Sequence, residues 1–206
     1  MIHFSPSNLD INSFLKKFNP KKSYSILDYG CGIGIWNNKL INKKFFKRIY
    51  LFDKNQEVIN LCKNKYKEKK FYIFDSKKSI KKIFDTKKIN TLLLNSVIQY
   101  IPRKELEKLL LVYRKKMLSK SHMIIIADVP IINRFIEFFL LFFFDNVRFF
   151  HAIKLIFRFK SYKKNNFYIG NLKKTFLLNN FKVSKVDNLN CFKYRRTYIL
   201  KNKLLF

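Results

Sequence analysis

The sequence predicts a doubly wound α/β fold, a mostly parallel seven-stranded sheet with helices on both faces and a C-terminal antiparallel strand pair. Two observations predict it. Five short runs are apolar throughout rather than alternating, as strands buried on both faces are. The stretches between these runs repeat apolar residues at helical spacing. The 206 residues are expected to form one domain, 1–206, with a sizeable core.

Each of the five apolar runs ends in a small or acidic polar residue. The predicted strands and the residues that end them are 24–27 with Asp28, 49–52 with Asp53, 71–74 with Asp75, 91–94 with Asn95 and 123–127 with Asp128. Ligands of such sheets bind beyond the carboxyl ends of the strands, so these side chains are expected to gather at the binding edge. Two later runs, 181–186 and 191–200, predict a hairpin at one edge of the sheet.

Several stretches between and after the strands can be helical. Their ranges are 36–46, 55–66, 77–84, 102–118 and 172–178, and residues 1–22 are expected to form an N-terminal helical cap. Asn55 suits an N-cap, and Pro102 suits the first turn of its helix. Glu105 lies near the start of the same helix, where an acid is favoured by the helix dipole.

After Asp128 the pattern changes to a Phe-rich stretch with scattered charges. We expect residues 129–170 to form a variable segment, either a lid over the substrate or a contact with a membrane. Its apolar run, 138–144, is far shorter than a transmembrane helix requires. The N-terminus has no apolar run of signal-peptide length, so the expected location is cytoplasmic. A peripheral position at the inner face of the membrane is the alternative.

The chain is strongly basic, with 44 Lys and Arg against 13 Asp and Glu and a net charge of +31. Lys, Asn, Phe and Ile dominate the composition, and all four can be encoded by A and T alone. The lysine excess therefore partly reflects an A/T-rich genome, which weakens it as an indication of nucleic-acid binding. The three cysteines lack paired spacing, which argues against a disulfide framework or a cysteine zinc site and favours a reducing compartment. We expect no metal.

Three of the four glycines, Gly30, Gly32 and Gly34, lie in one five-residue window directly after the first predicted strand. Glycines there permit a tight turn and a close approach of the backbone to a ligand. A dinucleotide-binding loop would carry glycine at the first, third and sixth positions, but the sixth position is Ile35. Asp28 before the loop would repel a pyrophosphate and suits a ligand that carries an ammonium group.

The segment from Asp28 to Gly34 resembles the first motif of the class I S-adenosylmethionine-dependent methyltransferases, an apolar strand followed by D-x-G-x-G-x-G. Cys31 fills a position that is often cysteine in that family. Asp53 matches the acid of the second motif, which accepts hydrogen bonds from the ribose hydroxyls. The resemblance covers residues 24–128 well and 180–200 weakly. It implies a Rossmann-like fold, S-adenosylmethionine as cofactor and methyl transfer as the activity.

The same resemblance extends to less specific positions. Asp75 matches an acid near the adenine amino group, and Asn95 matches the end of the fourth strand, beside the methionine moiety. Residues 95–101 look like the corresponding segment of small-molecule methyltransferases. The cofactor-binding residues implied in this way are Asp28, Tyr29, Gly30, Cys31, Gly32, Gly34, Asp53, Lys54, Asp75, Ser76, Asn95, Ser96 and Tyr100.

Methyl transfer from a sulfonium is an in-line displacement, and a general base helps when the acceptor is a hydroxyl. The candidate catalytic residues are Asp128 and His151, the latter in the variable segment where this fold builds its acceptor pocket. His3 is a further histidine of the chain. His122 precedes the fifth strand, so it is expected at the opposite end of the sheet and is discounted.

The predicted acceptor is a small molecule methylated on oxygen or nitrogen, such as a glycan or a metabolite precursor. Residues 95–98 lack the proline pair of the N6-amino methyltransferases, and no catalytic cysteine pair indicates a pyrimidine C5 enzyme. Three alternatives stay open. The chain could be an RNA methyltransferase that uses its basic surface, a membrane-surface methyltransferase with a lipid-linked substrate, or a non-catalytic relative. The oligomeric state is not predicted.

Overall fold

The computed structural model describes residues 24–34, 46–66, 71–119, 121–130, 176, 180–186 and 195–205. They contain a seven-stranded sheet in the order β3-β2-β1-β4-β5-β7-β6. The strands are β1 Ser25–Tyr29, β2 Arg48–Phe52, β3 Phe71–Ile73, β4 Thr91–Asn95, β5 Met123–Pro130, β6 Phe181–Val186 and β7 Arg195–Asn202. Strands β1 to β5 are parallel, whereas β7 runs antiparallel to both β5 and β6. The predicted sheet with its C-terminal antiparallel pair is confirmed.

The described helices are α1 Gln56–Lys65, α2 Ile80–Thr86 and α3 Arg103–Arg114, with 3-10 turns at Ile98–Tyr100 and Lys203–Leu205. The side chain of Asn55 caps α1 by accepting from the Glu57 N–H at 2.9 Å, as predicted. Helix α2 begins at Ile80, three residues later than predicted, because the Lys78 N–H closes a turn onto the Asp75 carbonyl. Pro102 lies at the N-cap of α3.

Strands β1, β2, β4 and β5 bury both of their faces, which explains why their sequences are apolar throughout rather than alternating. The edge strand β3 is the exception, because it leaves Tyr72 exposed. The core on one face combines strand residues with α2 and α3; its members include Leu27, Tyr50, Leu92, Ile124, Ile83, Phe84, Leu109 and Leu110. The core on the other face combines the alternate strand residues with α1; its members include Ile26, Ile49, Leu51, Leu93, Ile125, Cys62 and Tyr66. The prediction of helices on both faces is confirmed.

Strands β1 and β5 run through the aspartates that were predicted to end them. Strand β1 runs to Tyr29, so Asp28 lies inside it, paired with β2 and β4. Strand β5 runs to Pro130, so Asp128 does not terminate it as predicted. The reason is β7, which continues to pair with β5 beyond Ala127. The register between them shifts from Ile126 to Val129, which places Asp128 in a β-bulge at φ +60°.

Several predicted segments lie outside the described residues. These are the cap 1–22, the helix 36–46 except for Phe46, and residues 131–170 of the Phe-rich segment, whose first two residues belong to β5. Of the predicted helix 172–178 only Phe176 is described, and it is helical and buried. Within the described ranges, no helix combines the length and the apolar character needed to cross a membrane.

Candidate functional site

The glycine loop follows β1 directly and is tied to β2. The N–H groups of Gly30 and Cys31 both donate to the Phe52 carbonyl, at 2.8 and 3.1 Å. The Gly34 N–H donates back to the Cys31 carbonyl at 3.0 Å and closes the turn. All three loop glycines have positive φ, +77° at Gly30, +55° at Gly32 and +69° at Gly34. Residues with a Cβ rarely adopt this conformation, so the loop path requires glycine.

The three glycines differ in what surrounds them. A Cβ on Gly30 would lie 2.3 Å from Val97 Cγ2, and a Cβ on Gly34 would lie 2.9 Å from Tyr66 Cε2. The space that a side chain would need at these two glycines is therefore already filled by neighbouring side chains. Around Gly32, no atom of the described residues lies within 4 Å of such a Cβ. Among the described residues, Gly32 is thus the point of the loop whose backbone leaves space for the close approach of a ligand.

Asp53 lies just beyond β2 and is held by two backbone donors. The Gly32 N–H donates to Oδ2 at 3.1 Å, and the Asn55 N–H donates to Oδ1 at 2.9 Å. Each carboxylate oxygen has two lone pairs, so one N–H donor on each does not exhaust its capacity as an acceptor. The carboxylate is thereby oriented beside the open side of Gly32, where it can accept hydrogen bonds from a vicinal diol.

Tyr29 and Lys54 meet at one acid, Glu105 at the start of α3. The Tyr29 ring is buried and stacks on Phe52 with ring centroids 5.1 Å apart. Its hydroxyl donates to Glu105 Oε1 at 3.1 Å, and Lys54 forms an ion pair with the same oxygen. Burial and the Glu105 carboxylate raise the pKa of Tyr29, which keeps it a donor. Sequence reasoning assigned Glu105 only to a helix start and missed this contact.

Helix α1 binds the carbonyl groups of the loop. The thiols of Cys31 and Cys62 both donate to the Gly32 carbonyl, at 3.3 and 3.0 Å. The Tyr66 hydroxyl donates to the Gly34 carbonyl at 2.7 Å and to the Ile33 carbonyl at 3.2 Å. Burial raises the pKa of Tyr66 to about 12. Sequence reasoning missed Cys62 and Tyr66, although their spacing of four residues places them on one helix face.

The residues after β3 are also tied to α1. Asp75 is exposed and forms an ion pair with Lys63 at 2.6 Å, and this contact lowers the pKa of Asp75. The Ser76 N–H and hydroxyl both donate to Gln56 Oε1, at 3.2 and 2.6 Å. Helix α1 therefore fixes both the glycine loop and the predicted adenine-side residues.

The ends of β4 and β5 form the neighbouring part of the same edge. Asn95 ends β4 opposite Ala127, and the next residue, Ser96, has φ +54°. The Ser96 N–H donates to the Ala127 carbonyl at 3.2 Å, and its hydroxyl donates to Asp128 Oδ2. The Asp128 side chain is buried. Tyr100 follows in the 3-10 turn, where its N–H donates to the Val97 carbonyl.

The remaining candidates lie elsewhere. His151 and His3 lie outside the described residues. His122 precedes β5 at the end where Met123 pairs with Thr91, the first residue of β4, so its predicted position away from the binding edge is confirmed. Its Nδ1 contacts the Ser119 hydroxyl at 2.8 Å, and burial lowers its pKa. Among the described residues, no group of three or more metal-ligating side chains could hold an ion.

Comparison with known proteins gives one family. The profile of a family described as a methyltransferase domain matches residues 20–139, more than half of the chain. A comparison with curated protein sequences finds no match.

Solved structures share the fold. The TehB-like S-adenosylmethionine-dependent methyltransferase of Corynebacterium glutamicum is 14% identical with a TM-score of 0.59, over 94% of this chain and 89% of that one. An S-adenosylmethionine-dependent methyltransferase of Archaeoglobus fulgidus is also 14% identical, with a TM-score of 0.61 over 93% and 92%. An O-methyltransferase family protein of Burkholderia thailandensis is 10% identical, with a TM-score of 0.59 over 93% of this chain and 55% of that one.

The site fits the cofactor of this family, S-adenosylmethionine. Gly32 leaves an approach to the loop backbone within the described residues, and Asp53 presents an oriented carboxylate suited to a ribose diol. The buried carboxylate of Asp28 suits an ammonium group. The fold, the loop and the family profile agree. The chain therefore belongs to the methyltransferase-domain family, as a class I S-adenosylmethionine-dependent methyltransferase.

Proposed function

We propose that this enzyme methylates an oxygen or nitrogen atom of a small molecule, and that Asp128 accepts the proton which the acceptor loses. When bound, S-adenosylmethionine supplies an electrophilic methyl group on a sulfonium. The observation that carries the proposal is the bulge in β5. It places a buried carboxylate at the carboxyl edge of the sheet, hydrogen-bonded to Ser96.

The proposed cofactor site is formed by residues along the carboxyl edge of the sheet. Asp53 accepts hydrogen bonds from the ribose, with Gly30, Gly32 and Gly34 shaping the loop beside it. The other members proposed are Asp28, Cys31, Asp75, Ser76, Asn95, Ser96 and Tyr100. Tyr29 and Lys54 are proposed to act through Glu105, because both already contact that carboxylate.

A short series of contacts connects the glycine loop with Asp128. The close approach of Gly30 to Val97 brings the segment after β4 against the loop. Ser96, the neighbour of Val97, donates its hydroxyl to Asp128 and its N–H to the Ala127 carbonyl. A nucleophile placed against Asp128 would therefore lie at the end of β5, separated from β1 and its loop only by β4. This arrangement supports alignment of acceptor and cofactor as the main source of catalysis.

The backbone at Asp128 and Ser96 supports a functional role as well. Both are non-glycine residues in the left-handed region, at φ +60° and +54°. Such conformations cost about 1–3 kcal/mol each and concentrate at functional sites. A carboxylate can take the proton of a hydroxyl or amine as the new bond to the methyl group forms.

The test is methyl transfer from tritium-labelled S-adenosylmethionine into fractions of a host-cell extract, separated into small molecules, RNA and lipids. We expect label in the small-molecule fraction. We expect Asp128→Asn to reduce that transfer by about 100-fold, the usual size of a general-base contribution, while cofactor affinity stays within about twofold. Label confined to RNA or to lipid would overturn the proposed acceptor class in favour of one of the alternatives.

His151 is the second candidate base, proposed from the sequence alone. His151→Asn serves as the parallel variant in the same assay. A loss of transfer in His151→Asn with full transfer in Asp128→Asn would assign the proton to the histidine and contradict the role proposed for Asp128.

A further inference from the structure

We propose that Cys31 and Cys62 form a redox modification site, which a peroxide converts into a disulfide that weakens binding of S-adenosylmethionine. The pair joins two parts of the chain that are distant in sequence. Cys31 belongs to the glycine loop, and Cys62 belongs to α1. Nothing in the methyl-transfer chemistry requires two thiols at this point. The consequence for the cofactor rests on the proposed cofactor site, whereas formation of the disulfide does not.

The geometry places both sulfur atoms on one acceptor. Cys31 Sγ lies 3.3 Å and Cys62 Sγ lies 3.0 Å from the Gly32 carbonyl oxygen. Because both sulfurs contact the same carbonyl oxygen, they are neighbours across the space between the loop and α1. A disulfide needs its two Cβ atoms about 3.5–4.5 Å apart, so we expect the loop to shift toward α1 as the bond forms.

The two thiols differ in access and in acidity. Cys62 is fully buried, whereas Cys31 is partly exposed, so a small oxidant reaches the pair from the side of the loop. The neighbouring Cys31 thiol lowers the pKa of Cys62, and the neighbouring Cys62 thiol raises the pKa of Cys31. The thiolate is the reactive form of cysteine, and the lowered pKa of Cys62 favours it.

The reaction balances with one molecule of hydrogen peroxide. A thiolate attacks a peroxide oxygen, the O–O bond breaks, and a sulfenic acid and one water form. The second thiol then attacks the sulfenic sulfur, its proton leaves with the hydroxyl group as a second water, and the S–S bond forms. Two thiols lose two electrons and two protons in total, and the peroxide is reduced to two waters.

Oxidation acts on the cofactor site through Gly32. The Gly32 carbonyl accepts from both thiols, and the Gly32 N–H orients the Asp53 carboxylate. Joining the sulfurs removes both donors from that carbonyl and moves the loop toward α1. The contact between the Gly32 N–H and Asp53 then changes as well. We expect the oxidised protein to bind S-adenosylmethionine at least about tenfold more weakly, a difference of about 1.4 kcal/mol.

The experiment uses the full chain with the third cysteine replaced, Cys191→Ser. After treatment with hydrogen peroxide, we expect tryptic mass spectrometry to show peptides 23–39 and 55–63 joined with the loss of two hydrogens. Calorimetry on the same sample should show the weaker binding of S-adenosylmethionine. Dithiothreitol should restore both the separate peptides and the affinity.

The matched control adds Cys62→Ser, which keeps a donor toward the Gly32 carbonyl. In this variant peroxide should leave the affinity for S-adenosylmethionine unchanged, and circular dichroism checks that it folds. Separate sulfinic acids without a joined peptide would overturn the proposal. A joined peptide with unaltered affinity would overturn it too. Failure of the reduced protein to bind S-adenosylmethionine would instead contradict the proposed cofactor site, while the joined peptide would still report on the thiols.

Discussion

The two halves of the binding edge use the left-handed backbone in different ways. In the glycine loop the three positions with positive φ are all glycine. At the ends of β4 and β5 the corresponding positions are Ser96 and Asp128. The first half is shaped at little conformational cost, whereas the second half retains strain in residues whose side chains bond each other. The difference indicates that the loop is built for close approach and the bulge for presenting a chemical group.

The largest expected effect tests the packing of the loop. Gly30→Ala should lower the free energy of unfolding by about 3 kcal/mol, because it combines a left-handed alanine with a contact 2.3 Å from Val97. Gly32→Ala is the matched control, since it also places an alanine at positive φ but has no close neighbour among the described residues. It should cost about 1 kcal/mol. Urea unfolding measures both.

A second variant shows whether the clash explains that difference. Val97→Ala should recover part of the loss in the Gly30→Ala background, because it removes the methyl groups that the new Cβ meets. Equal costs for Gly30→Ala and Gly32→Ala, with no recovery by Val97→Ala, would contradict the packing role of Gly30.

The next effect concerns the tether between the loop and α1. Tyr66→Phe removes the donor to the Gly34 and Ile33 carbonyls and should cost about 1–2 kcal/mol. The exposed Tyr72→Phe is the control and should stay within about 0.5 kcal/mol of wild type. A cost for Tyr66→Phe no greater than that of the control would contradict the tether.

The same tyrosine gives a dependence on pH. Its pKa is raised from 10.0 to about 12 in the folded protein, so the stability from its neutral form is complete below pH 10 and is lost toward pH 12. The stability difference between wild type and Tyr66→Phe, measured by urea unfolding, should therefore shrink above pH 10. A difference that grows with pH would contradict this assignment.

The smallest expected effect concerns the backbone strain at Ser96, directly after β4. Ser96→Gly and Ser96→Ala both remove the hydroxyl that donates to Asp128, but only glycine relieves the left-handed conformation. The glycine variant should be the more stable by about 1 kcal/mol. Asn180, at φ +57° before β6, is the control position: the same pair of variants there should differ in stability without changing methyl transfer. Equal stability of the two Ser96 variants would show that no strain is stored at that site.

The sequence predicted the part of the binding edge that contains the glycine loop. Few residues other than glycine adopt positive φ, so a chain with four glycines shows where its loop turns. Asp28 and Asp53 were predicted because each follows or ends an apolar run. The mostly parallel sheet followed from the alternation of strands and helices, and its antiparallel edge followed from the final strand pair. These features depend on local patterns, which a sequence displays directly.

The contacts that hold the edge together could not be predicted, because they join residues that are distant in sequence. The bulge at Asp128 exists because β7 continues to pair with β5, about 70 residues further along the chain. Glu105 meets Tyr29 only once α3 packs beside β1. Cys62 reaches Gly32 across 30 positions of sequence. No spacing rule connects these residues, so only the folded chain brings them together.

The most direct test of the cofactor edge is calorimetric titration with S-adenosylmethionine. Wild type should bind, and Asp53→Ala should bind at least about 10-fold more weakly, because hydrogen bonds to a charged group contribute about 1.5–3 kcal/mol. Asp85→Ala, which removes an exposed acid of α2 that pairs with Lys116, should bind like wild type. No binding by wild type, or equal binding by Asp53→Ala and wild type, would contradict the account.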